Sequence, residues 1–196
     1  MSTAHPLLHH LLEAALAAAD PCSLVTAQQA LDAAADVARR AGYTPLILSS
    51  SMEGEAREVA LVHASIARQV LEYEQPLAAP CVILSGGQPR VTLRGRGQGG
   101  RQAEFLLALA IALDALPGVH AIAVDTGGID DSQDNAGAWL APGTLASARK
   151  LGLDARARLV DNDGSGFFST LGQLIVTGPT RTEVDFRALV IEADVL

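Results

Sequence analysis

Four carboxylates, Asp125, Asp130, Asp131 and Asp134, fall within ten residues of one another in the stretch DTGGIDDSQD. Directly before them, the apolar run at 121–124 stops at Asp125, and Thr126, Gly127 and Gly128 follow. A buried strand that delivers a carboxylate into a glycine turn joins rigidity to close backbone approach, which is a common way to build a site in an α/β protein. Carboxylates so close repel one another, and a cation, a cationic side chain or solvent must offset them. A hard divalent cation needs several such oxygens, which makes Asp125, Asp130 and Asp134 candidate metal ligands. The competing reading is an acidic, hydrated surface loop. The apolar run upstream favours a site.

A second candidate lies in GRGQGGRQAEF. Gly95, Gly97, Gly99 and Gly100 alternate with Arg94, Arg96 and Arg101, and Glu104 follows in the first turn of a predicted helix. Amides at a helix N-terminus and a bidentate guanidinium suit a phosphate or a carboxylate. The same residues could equally form a flexible solvated loop. The loop is neither a Walker loop, lacking GKS or GKT, nor a dinucleotide fingerprint. Glu104 would orient Arg101 or simply complement the helix dipole. Ser85, Gly86 and Gly87 follow an apolar strand, so their amides could cradle an anion, although a tight turn explains three such residues as well. Asn162-Asp163-Gly164-Ser165-Gly166 reads first as a helix N-cap ahead of Phe167 and Phe168. His5 and His9 are spaced i, i+4 without an evident third ligand. No Ser-His-Asp or Cys-His arrangement stands out. The single lysine, Lys150, sits in an ordinary predicted helix, so phosphoryl transfer here would need arginine, a metal or a lysine from elsewhere.

The elements that must position these residues follow from hydrophobic periodicity. Helices are expected at 7–19, 27–41 (closed by Gly42), 53–73, 102–116, 144–151 and 164–171. Strands are expected at 22–26, 44–48, 80–84, 90–93, 119–125, 173–177 and 187–191, with a turn at Gly178-Pro179-Thr180. The early strand–helix alternation implies right-handed parallel crossovers. The expected fold is a three-layer α/β/α domain with a mixed, mostly parallel sheet. Residues 1–20 would form an N-terminal helix and residues 21–196 a single α/β domain. No internal repeat or low-complexity linker interrupts it.

The 196 residues are 49% hydrophobic and 18% charged, enough to bury a substantial core. A net charge of −8 argues against broad nucleic-acid binding, which rests on neutralising phosphates. No run approaches the ~20 apolar residues of a membrane span, and the alanine-rich start lacks a basic region, so no signal peptide is expected. Cys22 and Cys81 lie far apart beside apolar runs. They are expected to be reduced and buried in a cytoplasmic protein.

Taken in order, SGGQPRVTLRGRGQGGRQAEF, DTGGIDDSQDNAGA, DNDGSGFF and LIVTGPTRTEV resemble the MOFRL domain, the C-terminal part of the class II glycerate kinases. Upstream, ALDAAADVARRAGYTPLILSSSMEGEAREVA is similar to the segment that precedes that domain, so the resemblance covers about residues 22–196, with MOFRL-like motifs from about residue 80. Family members phosphorylate glycerate at the 2-position with ATP, and many carry the older name hydroxypyruvate reductase. The resemblance implies ATP and Mg²⁺ as cofactors and a small hydroxy acid as substrate. By the same resemblance Arg101 holds a carboxylate or phosphate, Glu104 orients Arg101, and Asp125 and Asp130 bind magnesium. Asp134 and Asn162 are further matched positions. The phosphate-facing set would be Ser85, Gly86, Gly87, Gly99, Gly100 and Asn162.

The sequence departs from the family pattern in several places. GGRNQEF appears as Gly99 to Phe105 with Ala103 within it, DTDGIDG appears with Gly127 and Asp131, and the NDSY-like stretch reads NDGS at Asn162 to Ser165. Family enzymes also have an N-terminal half that faces this part across the catalytic cleft, and residues from that half cannot be carried over. The expectation is a glycerate 2-kinase-like protein that is weak or inactive alone. The alternatives are a ligand-binding or regulatory module, or one half of a split kinase. A hydroxypyruvate reductase is disfavoured because no dinucleotide fingerprint follows a predicted first strand. A homodimer is expected, with Leu8, Leu12 and Leu16 at the interface or covering a bared edge.

Overall fold

A computed structural model describes residues 4–18, 27–97, 99–114, 116–130, 134–180 and 184–193. In chain order the elements are α1 (Pro6–Ala18), α2 (Ala27–Arg40), β1 (Thr44–Ser49), α3 (Ala56–Tyr73), β2 (Cys81–Gly86), α4 (Arg101–Leu113), β3 (Val119–Asp125), β4 (Gly137–Leu140), α5 (Thr144–Lys150), α6 (Ala155–Val160), α7 (Gly164–Leu171), β5 (Leu174–Ile175) and β6 (Asp185–Ile191). The strand expected at 22–26, with Cys22, and the carboxylate Asp131 lie outside the described residues. Cys81 is a free, buried thiol.

The six strands line up in the order β1-β2-β6-β3-β4-β5. The layers follow from the period of two in the strands. Cys81, Ile83, Ala121, Ala123, Leu189 and Ile191 face one core with α3, α4, α5 and α7. Their neighbours Val82, Leu84, Ile122, Val124, Ala188 and Val190 face a second core with α1 and α2. This is the expected three-layer α/β/α arrangement with a mixed sheet. Strand direction is more mixed than expected: β1 and β2 pair in parallel, whereas β2–β6, β6–β3, β3–β4 and β4–β5 are all antiparallel. The reason is β6. The crossovers do orient β1, β2 and β3 alike, but the last strand inserts between β2 and β3 in the opposite sense.

Pro6 opens α1 at the position where its missing N–H costs nothing, and Leu7, Leu8, Leu11, Leu12 and Ala15 bury one face. They share a core with Ala30, Leu31, Ala34 and Ala38 of α2. The stripe that suggested a subunit interface is therefore used within the chain, with Leu8 and Leu12 buried and Leu16 half-buried against the same core. Fully burying a leucine stabilises by roughly 1.5–3 kcal/mol, so this helix is firmly seated.

Other differences are local. Helix α3 starts at Ala56, not at 53, because Glu55 turns its carboxylate to Thr92. Residues 90–93 form a single bridge, Glu55 to Arg90, instead of a strand; their backbone groups bond to Gly54, Ala56 and Asn162. Strand β4 and helix α6 had no counterpart among the expected elements. Among the described residues no helix is long and apolar enough to cross a membrane.

Candidate functional site

The carboxyl ends of β2 and β3 meet the start of β6 at one rim of the sheet. Antiparallel register sets Asp125 directly opposite Asp185. Two carboxylates in that position repel, and Arg101, in the first turn of α4, lies between them. Its Nε donates to Asp185 Oδ2 at 2.9 Å and Oδ1 at 3.2 Å, and its Nη2 donates to Asp185 Oδ1 at 3.1 Å and Asp125 Oδ2 at 2.6 Å. The other Asp125 oxygen accepts the Gly127 amide at 2.7 Å. Burial pulls the Arg101 pKa down, but the hydrogen bonds and charge of Asp185, the charge of Asp125 and that of Asp130 outweigh it and raise it above the ordinary arginine value.

Asp185 also has a second cation. Arg187, two residues along β6 and fully buried, reaches Asp185 Oδ2 at 3.3 Å and the Gly87 carbonyl at 2.9 Å through Nη2. Its guanidinium lies over the Phe105 ring, 5.3 Å from the centroid, while Nε and Nη1 have no partner among the described residues. Burial pulls its pKa down to about 10, which leaves it a cation at neutral pH. The rim thus alternates in charge from Arg187 through Asp185 and Arg101 to Asp125.

Glu104 does not orient Arg101. It is buried, pairs with Arg57, and accepts from Asn162 Nδ2 at 3.2 and 3.3 Å. Asn162 uses its Oδ1 to accept the amides of Arg94 at 2.7 Å and Gly95 at 3.0 Å. Glu104 and Asn162 therefore form a clamp that fixes the glycine–arginine loop. The N-cap expected just beyond is present: Asp163 accepts the Gly166 amide at 3.2 Å, and Phe167 and Phe168 are buried behind it.

The amides at the start of α4 are not open to a phosphate. Asp130, fully buried, accepts from Gln102 N at 3.1 Å and Ala103 N at 3.0 Å. Burial pushes its pKa up to about 6 against the opposing pull of these amides and Arg101. Gly100 is the N-cap at φ 94°, and a Cβ there would stand 2.7 Å from Asp130 Oδ2. Gly99 donates its amide to the Asn162 carbonyl at 2.9 Å.

Asp134 is exposed. Among the described residues no group of three His, Cys, Asp or Glu side chains gathers as a metal site, so the set Asp125, Asp130 and Asp134 does not converge. Asp125 is turned to Arg101 and Asp130 to the helix.

Ser85 faces inward as well. The Val59 carbonyl can only accept, so His63 Nδ1–H donates to it at 2.8 Å, and His63 Nε2 takes the Ser85 hydroxyl at 2.8 Å. Burial lowers the His63 pKa to about 4, so the ring is neutral. The Gly86 carbonyl accepts the Met52 amide at 3.0 Å. Gly87, at φ 101°, packs against the backbone of Ser51 and Met52, where a Cβ would collide. Ser85 and Gly86 thus complete β2 and Gly87 makes the bend that follows, so the sequence's tight turn begins only at Gly87.

Two adjoining depressions open at this rim. One, of about 420 Å³, is lined by Glu53, Gln88, Arg90, Leu93 and Arg101. The other, of about 310 Å³, is lined by Ser50, Ser51, Glu53, Gly87, Gln88 and Asp185. The sequence reading missed Asp185 and Arg187. The signal was there in DFRALVI, where two opposite charges at a spacing of two occupy one face of an otherwise apolar strand.

Known proteins share the sequence and the fold of this chain. An Agrobacterium vitis protein that carries the name hydroxypyruvate reductase is 50% identical over 165 residues, covering 83% of this chain and 38% of its own length. The D-glycerate 2-kinase of Thermotoga maritima is 34% identical over 158 residues, covering 81% and 38%. The crystal structure of a Thermotoga maritima glycerate kinase superposes with a TM-score of 0.82 at 34% identity, covering 85% of this chain and 40% of that one. A Pyrococcus horikoshii OT3 protein of known structure gives a TM-score of 0.83 at 27% identity, covering 87% and 39%. The chain thus spans about two-fifths of the length of the curated relatives it matches. The model of the MOFRL family matches residues 81–185, more than half of the chain and all of the rim from β2 to Asp185, and the chain belongs to that family.

Proposed function

We propose that this chain is the MOFRL portion of an ATP-dependent glycerate 2-kinase, and that it is weak or inactive without the portion its longer relatives contain. The observation that supports this most directly is Arg101, held by Asp185 and Asp125 at the carboxyl end of the sheet beside a depression that accommodates a three-carbon hydroxy acid. Arg101 Nη1 takes no part in these bonds, so its N–H groups remain to donate to a carboxylate. Asp125 and Asp185 fix their direction.

Magnesium does not fit the ligand set expected for it, because Asp130 is buried against α4 and Asp134 stands apart. The chain's own residues therefore bind and orient, while the facing portion is the partner proposed to complete charge neutralisation and exclude water. A homodimer is not proposed, since the leucines that suggested one are buried within the chain.

The test is a coupled ADP-release assay with D-glycerate, on this chain alone and on a chimera in which it replaces the matched segment of the Thermotoga maritima enzyme. The chain alone should show little turnover. The chimera should be active, and Arg101→Gln should remove that activity. A folded but inactive chimera, or NADH-dependent reduction of hydroxypyruvate by the chain, overturns the reading.

A further inference from the structure

Of the groups the glycine–arginine loop offers to an anion, the amides of α4 are closed and Arg101 has only Nη1 left. Asp130 already occupies the amides of α4, and Arg101 is already bonded to two carboxylates. The cations left free are Arg90, Arg94 and Arg96. All three are exposed, and none of their side chains has an ion-pair or hydrogen-bond partner among the described residues. Glu55 senses the charge of Arg94, but its carboxylate oxygens accept from Thr92.

The loop that carries them is fixed, not slack. Asn162 Oδ1 accepts the amides of Arg94 and Gly95, Asp161 Oδ1 accepts that of Arg96 at 2.9 Å, and the Asp161 carbonyl accepts that of Gly97 at 2.7 Å. Gly95 and Gly97 lie so close to Asp161 and Asn162 that a Cβ on either would collide with their backbone. The alternation R-G-R-G therefore has a physical meaning. The glycines lie against residues 161–162, and the arginines between them remain in solvent. Arg90 stands on the same rim, lining the depression of about 420 Å³ that also reaches Arg101.

We infer that Arg90, Arg94 and Arg96 bind the phosphate chain of a nucleoside triphosphate, with Arg90 bringing one end of it to the depression that also reaches Arg101. Three guanidiniums on a fixed backbone match a ligand that carries several negative charges on tetrahedral centres, since arginine donates in a planar fork to such oxygens. Glycerate, with one carboxylate, needs only Arg101. The identification of the ligand as a nucleotide rests on the kinase reading above. The anion site itself rests on the loop.

Isothermal titration of the intact chain with inorganic tripolyphosphate, at low salt and without metal, tests this directly. Saturable binding is expected. It should weaken at least ~10-fold in Arg90→Gln/Arg94→Gln/Arg96→Gln, the loss expected when charge-assisted hydrogen bonds are removed. Arg39→Gln/Arg149→Gln, which removes two exposed arginines elsewhere, should bind like the parent. Circular dichroism of each variant establishes that it is folded. No binding by the parent, or equal binding by the triple variant, overturns the site; that result would leave the loop as a surface for an acidic protein. A parallel titration with ATP separates the two readings. Tripolyphosphate binding that depends on the three arginines, without ATP binding, keeps the anion site and overturns its assignment to a nucleotide.

Discussion

Asp185→Asn is the substitution that most sharply tests the charge alternation at the rim. Asparagine keeps the volume of Asp185 but removes its charge, and it sets an amide N–H₂ against one of two guanidiniums. Whichever way the amide turns, Arg101 loses at least one of its three hydrogen bonds of 2.9 to 3.2 Å, yet it retains Asp125 and its side chain is 23% exposed, so water absorbs part of the loss. Arg187 has no such recourse: it is 0% exposed, two of its nitrogens already lack partners, and Asp185 is its sole ion-pair partner among the described residues. Removing one member of a buried pair costs about 3–5 kcal/mol, because the remaining charge stays buried and unpaired. For a domain of this size each kcal/mol lowers Tm by roughly 2–4 °C, which gives a fall of about 6–20 °C. The double variant Asp185→Asn/Arg187→Met should recover at least half of that, since methionine removes the stranded charge and still packs on Phe105. Thermal unfolding followed by circular dichroism, with urea titration for the free energies, reads both. A single variant within about 1 kcal/mol of the parent, with no gain in the double, would refute the claim that Asp185 compensates Arg187.

Two other outcomes follow from burial. His63 is held at about 4, below its ordinary 6.5, so stability tied to it is full above pH 6.5 and is lost as the pH falls toward 4; Asp130 is raised from 3.8 to about 6, so the folded chain takes up its proton first and gains stability over nearly the same range. Each slope is about 1.4 kcal/mol per pH unit. They nearly offset, so relative to the parent His63→Gln should gain stability on acidification from pH 6 to 4 and Asp130→Asn should lose it, in urea titrations across pH; parallel profiles for all three proteins would contradict the assignment. Leu8→Glu/Leu12→Glu should unfold the chain, because both side chains are buried against α2. A folded double variant that light scattering shows to be monomeric, from a dimeric parent, would instead place them on a subunit interface.

What the sequence revealed and what it hid divide along physical lines. Helices α1, α2, α4 and α7 and strands β1, β2 and β3 have apolar residues at a regular period over several turns or pleats, and all seven lie within a few residues of where periodicity puts them. Strand β4 reads only GAWL, four residues of ordinary composition, and α6 buries none of its residues fully; neither carries a periodic signal. In the site, residue types pointed to the right loops, and Arg101 with Asp125 does form the centre. The partners were hidden because pairing is decided by register and packing across long separations. Glu104 sits one turn from Arg101 yet bonds to Arg57 and to Asn162, 58 residues away. Asp185 reaches Arg101 only because β6 runs back beside β3.

The central position of β6 governs how the chain comes together. Its residues pair with Cys81–Gly86 on one side and Val119–Asp125 on the other. Until β6 has been synthesised, β2 and β3 each present an open edge, and no strand joins the β1–β2 pair to β3, β4 and β5. Edges of that kind template association with other chains. Pairings so distant in sequence form late and slowly, because the connecting loop must be closed before any contact rewards it. A ribosome stalled just short of Asp185, or a nonsense codon there, should therefore yield two half-sheets prone to aggregate, not a slightly shortened native protein. The same strand brings in Asp185 and Arg187, so the sheet and the charged rim are completed in one step.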